Sequence, residues 1–263
     1  MNEEKIKQVI AKSGNDLHVE AERMLKKAGW HVTSSMYYID SSTEKARETD
    51  IIATKDWDIN DNFGKKVLTL RARLFIECKK ISEPVVIWTK DKTIDAAEDL
   101  ARDNNILRGE EYINYSDNIP PQIHHYLTPN KVIYQWDTIK EEQNDFLFKG
   151  VDSCLKSLLF FKHRFRNTHY VIDYPIIIID PLSVLKERDS SKIGASPVDC
   201  NQQIELYYSY LPISGGDKTS YFLVDVVELA KLNDFQQMLR DNDIQICLNK
   251  LHFAATIKNH QRI

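Results

Sequence analysis

Glu77-Cys78-Lys79 closes a run whose even positions, Leu68, Leu70, Ala72, Leu74, Ile76 and Cys78, are all apolar. Its odd positions include Arg71, Arg73, Glu77 and Lys79. Side chains alternate across a strand, so the apolar set lies against a core while Glu77 and Lys79 project together from the opposite face. Val67 and Phe75 share that polar face, which implies that it too is partly covered. Upstream, Asp50 stands in Arg47-Glu48-Thr49-Asp50-Ile51-Ile52-Ala53. If the two strands are neighbours, Asp50 sits opposite Glu77 and Lys79, and two carboxylates converge. Such a pair makes a hard-oxygen site of the kind Mg²⁺ takes, completed by waters and phosphate oxygens. A cation there polarises a phosphate and acidifies a bound water, while an adjacent ammonium positions that water or offsets developing negative charge.

Acid-x-lysine is by itself a weak signal, since Glu3-Glu4-Lys5 matches it in a charged terminus. A surface strand with an ordinary Glu–Lys pair is the competing reading, and the upstream Asp50 and the flanking apolar face weigh against it. Glu48 shares a strand face with Asp50 and rivals it. Glu20 borders an apolar helical stripe, at i+3 from Leu17, while Glu22 points to the other side. Glu20 is either a further acid of the site or a half-buried acid paired with a lysine. Arg71, Arg73 and Lys80, with Lys65 and Lys66 in the preceding turn, give the region a basic lean that suits phosphate contacts. A solvated hairpin face explains them equally well.

The elements that must position these residues follow from periodicity. Ser13-Gly14-Asn15-Asp16 is a helix-start cluster; Leu17, Ala21, Met24, Leu25 and Ala28 continue at helical spacing, and Gly29 supplies a stop. Val32, Met36, Tyr37 and Ile39 read as a strand, residues 48–54 as a second, and 67–80 as the long third. An apolar stretch runs from Val85 to Trp88. Residues from about 108 to 131, with Pro120-Pro121 and Pro129, read as an irregular insertion. Residues 138–162 are expected to be helical through Leu147, Val151, Cys154, Leu155, Leu158 and Leu159. Ile176 to Ile179 has the uniform apolarity of an interior strand covered on both faces. Two further strands, 204–211 and 221–227, flank Gly215-Gly216, and a closing helix starts near Asn233. Helices alternating with strands predict one α/β domain over residues 1–263, with a mixed central sheet flanked by helices and carrying insertions.

The 263 residues are 42% hydrophobic, with a formal charge of −4, so any nucleic-acid contact rests on a local patch and not on bulk charge. Cys78, Cys154, Cys200 and Cys247 lie far apart with no C-x-x-C, which argues against a zinc ribbon and for free thiols in a reducing compartment. The charged start lacks the apolar core of a signal peptide, and the most apolar run, Tyr174 to Leu185, is broken by Pro175, Asp180 and Pro181. A spanning helix needs about 20 apolar residues. The expectation is a cytoplasmic protein with no membrane partner. Gly215-Gly216-Asp217-Lys218-Thr219 lacks the earlier glycine and the Gly-Lys pair of a phosphate loop and reads as a turn. His124-His125 shows no companion at metal-ligand spacing, and Gln122-x-x-x-Tyr126 follows two prolines and is set aside.

The order helix, strand, acidic strand, strand ending in acid-x-lysine resembles the PD-(D/E)xK nuclease superfamily, most closely its restriction-endonuclease-like members in bacterial defence. The resemblance covers about the first 90 residues; Thr49 stands where the name-giving proline would be. It implies a restriction-endonuclease-like core with Asp50 as the second-strand acid, Glu77 and Lys79 as the acid-x-lysine pair, Glu20 as the first-helix acid and the Cys78 carbonyl as a further metal ligand. The acid followed directly by two apolar residues favours Asp50 over Glu48. It also implies a Mg²⁺-dependent nuclease (with Mn²⁺ as substitute), an endonuclease acting on DNA, whose partners are nucleic acid and either a second copy of itself or a defence-system protein. Its rivals are a catalytically silent nucleic-acid-binding module on the same fold and a partner-recruited interaction subunit. A fold-level resemblance leaves the activity an expectation.

Overall fold

The long alternating stretch forms strand β3 (Lys66–Lys79), paired antiparallel with β2 (Ala46–Asn60) from Ile51 opposite Ile76 to Asn60 opposite Lys66. The computed structural model describes residues 3–5, 15–60, 63–105, 124–128, 130–138, 141–164, 170–189, 194–210 and 218–260. Strand β1 (His31–Ile39) lies outside β2. Then come β4 (Val85–Asp91), β5 (Lys131–Thr138), β6 (Tyr170–Ile179), β7 (Leu185–Asp189), β8 (Ser196–Pro197), β9 (Gln202–Tyr210) and β10 (Lys218–Glu228). They form one mixed ten-stranded sheet in the order β1-β2-β3-β6-β10-β9-β5-β4-β7-β8. Its middle is parallel, β3 with β6 and β6 with β10, and it is flanked by antiparallel pairs.

Helices cover both faces. Helix α1 (Asn15–Lys27) buries Leu17, Ala21 and Leu25. It ends where expected: Gly29, at φ 82°, donates to the Lys26 carbonyl and Trp30 donates to that of Leu25. This paired closure uses the left-handed conformation that glycine adopts without penalty. With α4 (Leu232–Leu239) and α5 (Gln245–His260), α1 packs on the face that carries Ile51, Ala53, Leu70, Ala72, Leu74 and Ile76. The opposite face, with Ile52, Phe75, Ile177 and Ile179, takes α3 (Glu141–Arg164) through Leu147, Val151, Leu155 and Leu158. Ile176 to Ile179 are wholly inaccessible, one on each face in turn. Each such side chain contributes roughly 1.5–3 kcal/mol by burial, which anchors the centre of the sheet.

Helix α2 (Ile94–Asn105) has no counterpart in the elements read from the sequence. Of the expected insertion, residues 108–123 and 129 lie outside the described residues. Its described tail is a short 3₁₀ turn, His125–Leu127, and the first residue of β5. Gly215-Gly216 also lies outside the described residues. No described helix is long and apolar enough to cross a membrane.

Candidate active site

Strands β2 and β3 part company at the carboxyl end of β3, and the acids meet there. The ladder ends at Ile51 opposite Ile76. Beyond it, the Cys78 backbone N–H donates to Asp50 Oδ2 at 2.7 Å, so a side chain takes over from the backbone of β2. On the other side of Asp50, β1 is distorted: Ser34 pairs with Ile51 and Met36 with Thr49, while Ser35 between them sits at φ 54°. A non-glycine residue in that region is uncommon, and such positions gather at functional sites. The pleat slips as well. Thr49 Oγ1 reaches Ser157 on α3 at 3.4 Å, and Ile52 packs into the core on that same face. Strict alternation would put the two on opposite faces.

Glu77 and Lys79 do share a face, the one covered by α3. Glu77 is 2% exposed, accepts from Lys79 Nζ at 2.8 Å through Oε2, and accepts from Ser153 Oγ at 2.8 Å through Oε1. Burial pushes its pKa up, the Asp50 charge adds to that, and the bonds from Lys79 and Ser153 offset only part, leaving it at about 6. The Lys79 ammonium is disfavoured by burial, but Glu77, by charge and hydrogen bond, and Asp50 outweigh this and raise its pKa. The Lys79 stem lies against α3 at Gly150, where an added Cβ would sit 2.9 Å from Lys79 Cε. Two carboxylates that repel each other in a buried setting, beside one lysine, fit a divalent cation with oxygen ligands.

Other expected residues are engaged elsewhere. Glu20 forms a paired contact with Arg23 on exposed α1, Oε2 to Nε at 2.8 Å and Oε1 to Nη2 at 2.5 Å. Its helix packs on the face opposite the one that carries Glu77, so the structure does not bring it to the pair. The acid of α1 that reaches the sheet is Glu22, which accepts from Ser34 Oγ at 2.7 Å. Glu48 is exposed, and hydrogen bonds from Ser35 and Tyr37 lower its pKa. Neither arginine is set up for phosphate. Arg71 lies across from Asp56 in the ladder and holds both its oxygens at 2.7 Å. Arg73 is buried and clamps Asp173 on β6 at 2.6 and 2.8 Å. Forks matched to carboxylates in this way are spent on the fold. Lys80 is exposed, just past the end of β3.

The reading of His124-His125 as lacking a metal-spaced companion is overturned: folding brings in Asp243, from the π-helical turn Arg240–Ile244, so that donor atoms of all three lie within 4.8 Å of one another. The residue types suit a transition metal, and hydrogen bonds use all but one of their ring nitrogens, His124 Nε2, which is buried with no hydrogen-bond partner. His125 Nδ1 meets Asp243 Oδ2, and its Nε2 lies 3.1 Å from Asp225 Oδ2. The Tyr126 N–H donates to His124 Nδ1 at 3.1 Å, so in the neutral ring Nε2 carries the proton, 3.3 Å from Asp243 Oδ2. Tyr174 adds its hydroxyl to the same oxygen at 3.2 Å. Burial opposes charge on His125, yet Asp243 and Asp225 raise its pKa to about 10, whereas burial pushes His124 down to about 4. His125 bridges Asp243 and Asp225, tying the 3₁₀ turn to β10 and the C-terminal helices. Only the histidine doublet marked it in the sequence; Asp243 lies 118 residues from His125. Ser153 and Gly150 were also missed, because small residues in an apolar helix carry no motif. Compared with protein-family models, curated proteins and solved structures, the chain matches none.

Proposed function

We propose that the chain is a Mg²⁺-dependent nuclease that hydrolyses phosphodiester bonds in DNA, on a core of the restriction-endonuclease type. One observation carries this reading: Asp50, Glu77 and Lys79, from two strands, meet at the carboxyl end of β3, where β2 and β3 separate. The carboxyl ends of parallel strands are where open α/β sheets hold ligands. Asp50 and Glu77, with the Cys78 carbonyl beside them, would hold the metal, which supplies Lewis-acid polarisation of the phosphate and an acidified water. Lys79, beside Glu77, would offer its ammonium to the phosphate or to the attacking water. A compact positive charge already in place there favours the transition state over the ground state. The resemblance to the PD-(D/E)xK superfamily supports the choice of DNA and direct attack by water, with 5′-phosphate and 3′-hydroxyl products.

The test is supercoiled plasmid incubated with purified protein and Mg²⁺. Nicked or linear product is expected from the wild type and none from Asp50→Asn, whose amide oxygen still accepts from Cys78 and so preserves the fold. Intact plasmid with wild-type protein, or full activity in the variant, would overturn the assignment.

A further inference from the structure

Two residues one turn apart on α3 touch the two halves of the acid-x-lysine pair separately. Ser153 Oγ donates to Glu77 Oε1 at 2.8 Å. Gly150, three residues earlier and so on the same helical face, leaves room for Lys79, whose Cε, Cγ and Cδ would lie 2.9, 3.3 and 3.6 Å from an added Cβ. The helix is itself pinned at this level. Tyr38 of β1 donates to the Ser153 carbonyl at 3.3 Å, Cys154 Sγ contacts the Phe75 carbonyl at 3.1 Å, and Ser157 Oγ faces Thr49 at 3.4 Å. The Ser153 hydroxyl and the Gly150 surface are therefore fixed relative to β1, β2 and β3.

We infer that Ser153 and Gly150 are the positioning residues of the site, Ser153 orienting the Glu77 carboxylate for a divalent cation and Gly150 directing Lys79 to the substrate. The inference rests on reading Asp50, Glu77 and Lys79 as a metal and phosphate site. Both Glu77 oxygens are engaged, Oε1 by Ser153 and Oε2 by Lys79. Asp50 and Glu77 would hold the cation, with the short Ser153 side chain keeping its bond to Oε1 and so orienting the Glu77 carboxylate. A ligand so held loses less freedom on binding, and partners behind metal ligands typically account for about 10–100-fold in affinity. Gly150 acts by shape. With any side chain there, the Lys79 stem must shift, and the place its ammonium reaches shifts with it.

The test separates metal affinity from turnover. Free Mn²⁺ is counted by electron paramagnetic resonance during titration of metal-free protein, and plasmid turnover is measured at saturating Mn²⁺. Ser153→Ala is expected to weaken Mn²⁺ binding about tenfold or more, with turnover at saturation within about threefold of wild type, and Ser153→Thr to restore affinity. Ser153→Cys, a near-isostere and weaker donor, gives the same reading if the alanine variant does not fold. Gly150→Ala is expected to keep Mn²⁺ affinity within about twofold while turnover falls about 10²-fold, with Lys79→Ala adding little on top, since both act through one ammonium. Wild-type affinity in Ser153→Ala and Ser153→Cys overturns the first half of the inference. Multiplying effects of Gly150→Ala and Lys79→Ala overturn the second. A wild type that binds no Mn²⁺ overturns the metal reading beneath both, and the wild-type titration shows that by itself.

Discussion

Removing the charge from Glu77 should make this protein more stable while abolishing its activity. Glu77 is 2% exposed, so its carboxylate has little water, and burial with the Asp50 charge lifts its pKa from 4.5 to about 6. Its contacts with Lys79 and Ser153 are already inside that balance and are outweighed. Ionising Glu77 therefore costs about 2 kcal/mol more in the folded protein than in the unfolded chain, at about 1.4 kcal/mol per pH unit. The sign follows from proton counts: between pH 4.5 and 6 the folded form keeps a proton that the unfolded form has lost. Above pH 6 the full cost is present, and as pH falls through 6 towards 4.5 it disappears. Glu77→Gln has no proton to lose, so in EDTA at pH 8 it is expected to resist urea about 2 kcal/mol better than wild type, and to match it near pH 4. Mg²⁺, held as proposed, is then expected to reverse the order. At a hundred times its dissociation constant a ligand stabilises by about 2.7 kcal/mol, a gain open to wild type and lost with the ligand. Residues kept at a cost in stability mark functional sites. A Glu77→Gln protein weaker than wild type at pH 8 in EDTA, or stabilised by Mg²⁺ as much as wild type, would refute the reasoning.

Lys79→Ala is expected to lower turnover about 10²–10³-fold, well beyond the effect of Lys80→Ala; kinetics showing the reverse order would contradict the assigned strand face. Arg73→Ala removes the paired contact to buried Asp173 and should destabilise the protein by about 3–5 kcal/mol in urea unfolding. Intact stability with weakened DNA binding would instead return Arg73 to the phosphate-contact role. His125, with its pKa raised from 6.5 to about 10 by Asp243 and Asp225 against burial, contributes stability that is complete below pH 6.5 and lost as pH rises towards 10. Thermal melts of wild type against His125→Asn over that range should converge at the alkaline end, and parallel curves would argue against an imidazolium.

The face assignment along β3 was legible because period-2 alternation needs no partner: Leu70, Ala72, Leu74 and Ile76 meet one core, and Phe75 and Glu77 face the other. The stop at Gly29 was legible for a similar reason, since helix closure is local. Roles that depend on what lies across the sheet were not. An arginine on a polar strand face looks the same whether its partner is a phosphate or an aspartate, and Asp173, 100 residues away, decided the case for Arg73. Glu20 failed in the same way, because Arg23 at i+3 takes its carboxylate before the sheet can. Polar residues near a site are weaker evidence of function than their number suggests, because a fold this rich in charge spends most of them on itself.

Asp50 lies against the end of β3, but it reaches that place by a different route from the one its sequence implies. The expectation assumed an unbroken β2, where alternation would aim Asp50 across at Glu77. The observed strand loses its alternation there, with Thr49 and Ile52 on one face and Ser35 in the left-handed region beside it. An unbroken ladder would pair the backbone of β2 at this level with that of β3, leaving Asp50 an ordinary side chain above the sheet. The break lets its carboxylate turn into the gap and accept the Cys78 N–H, which holds one oxygen and leaves the other for a ligand. The distortion at Ser35 in the neighbouring strand accompanies this opening. Relieving the distortion, and not only removing the acid, should therefore close the gap in which the carboxylate turns.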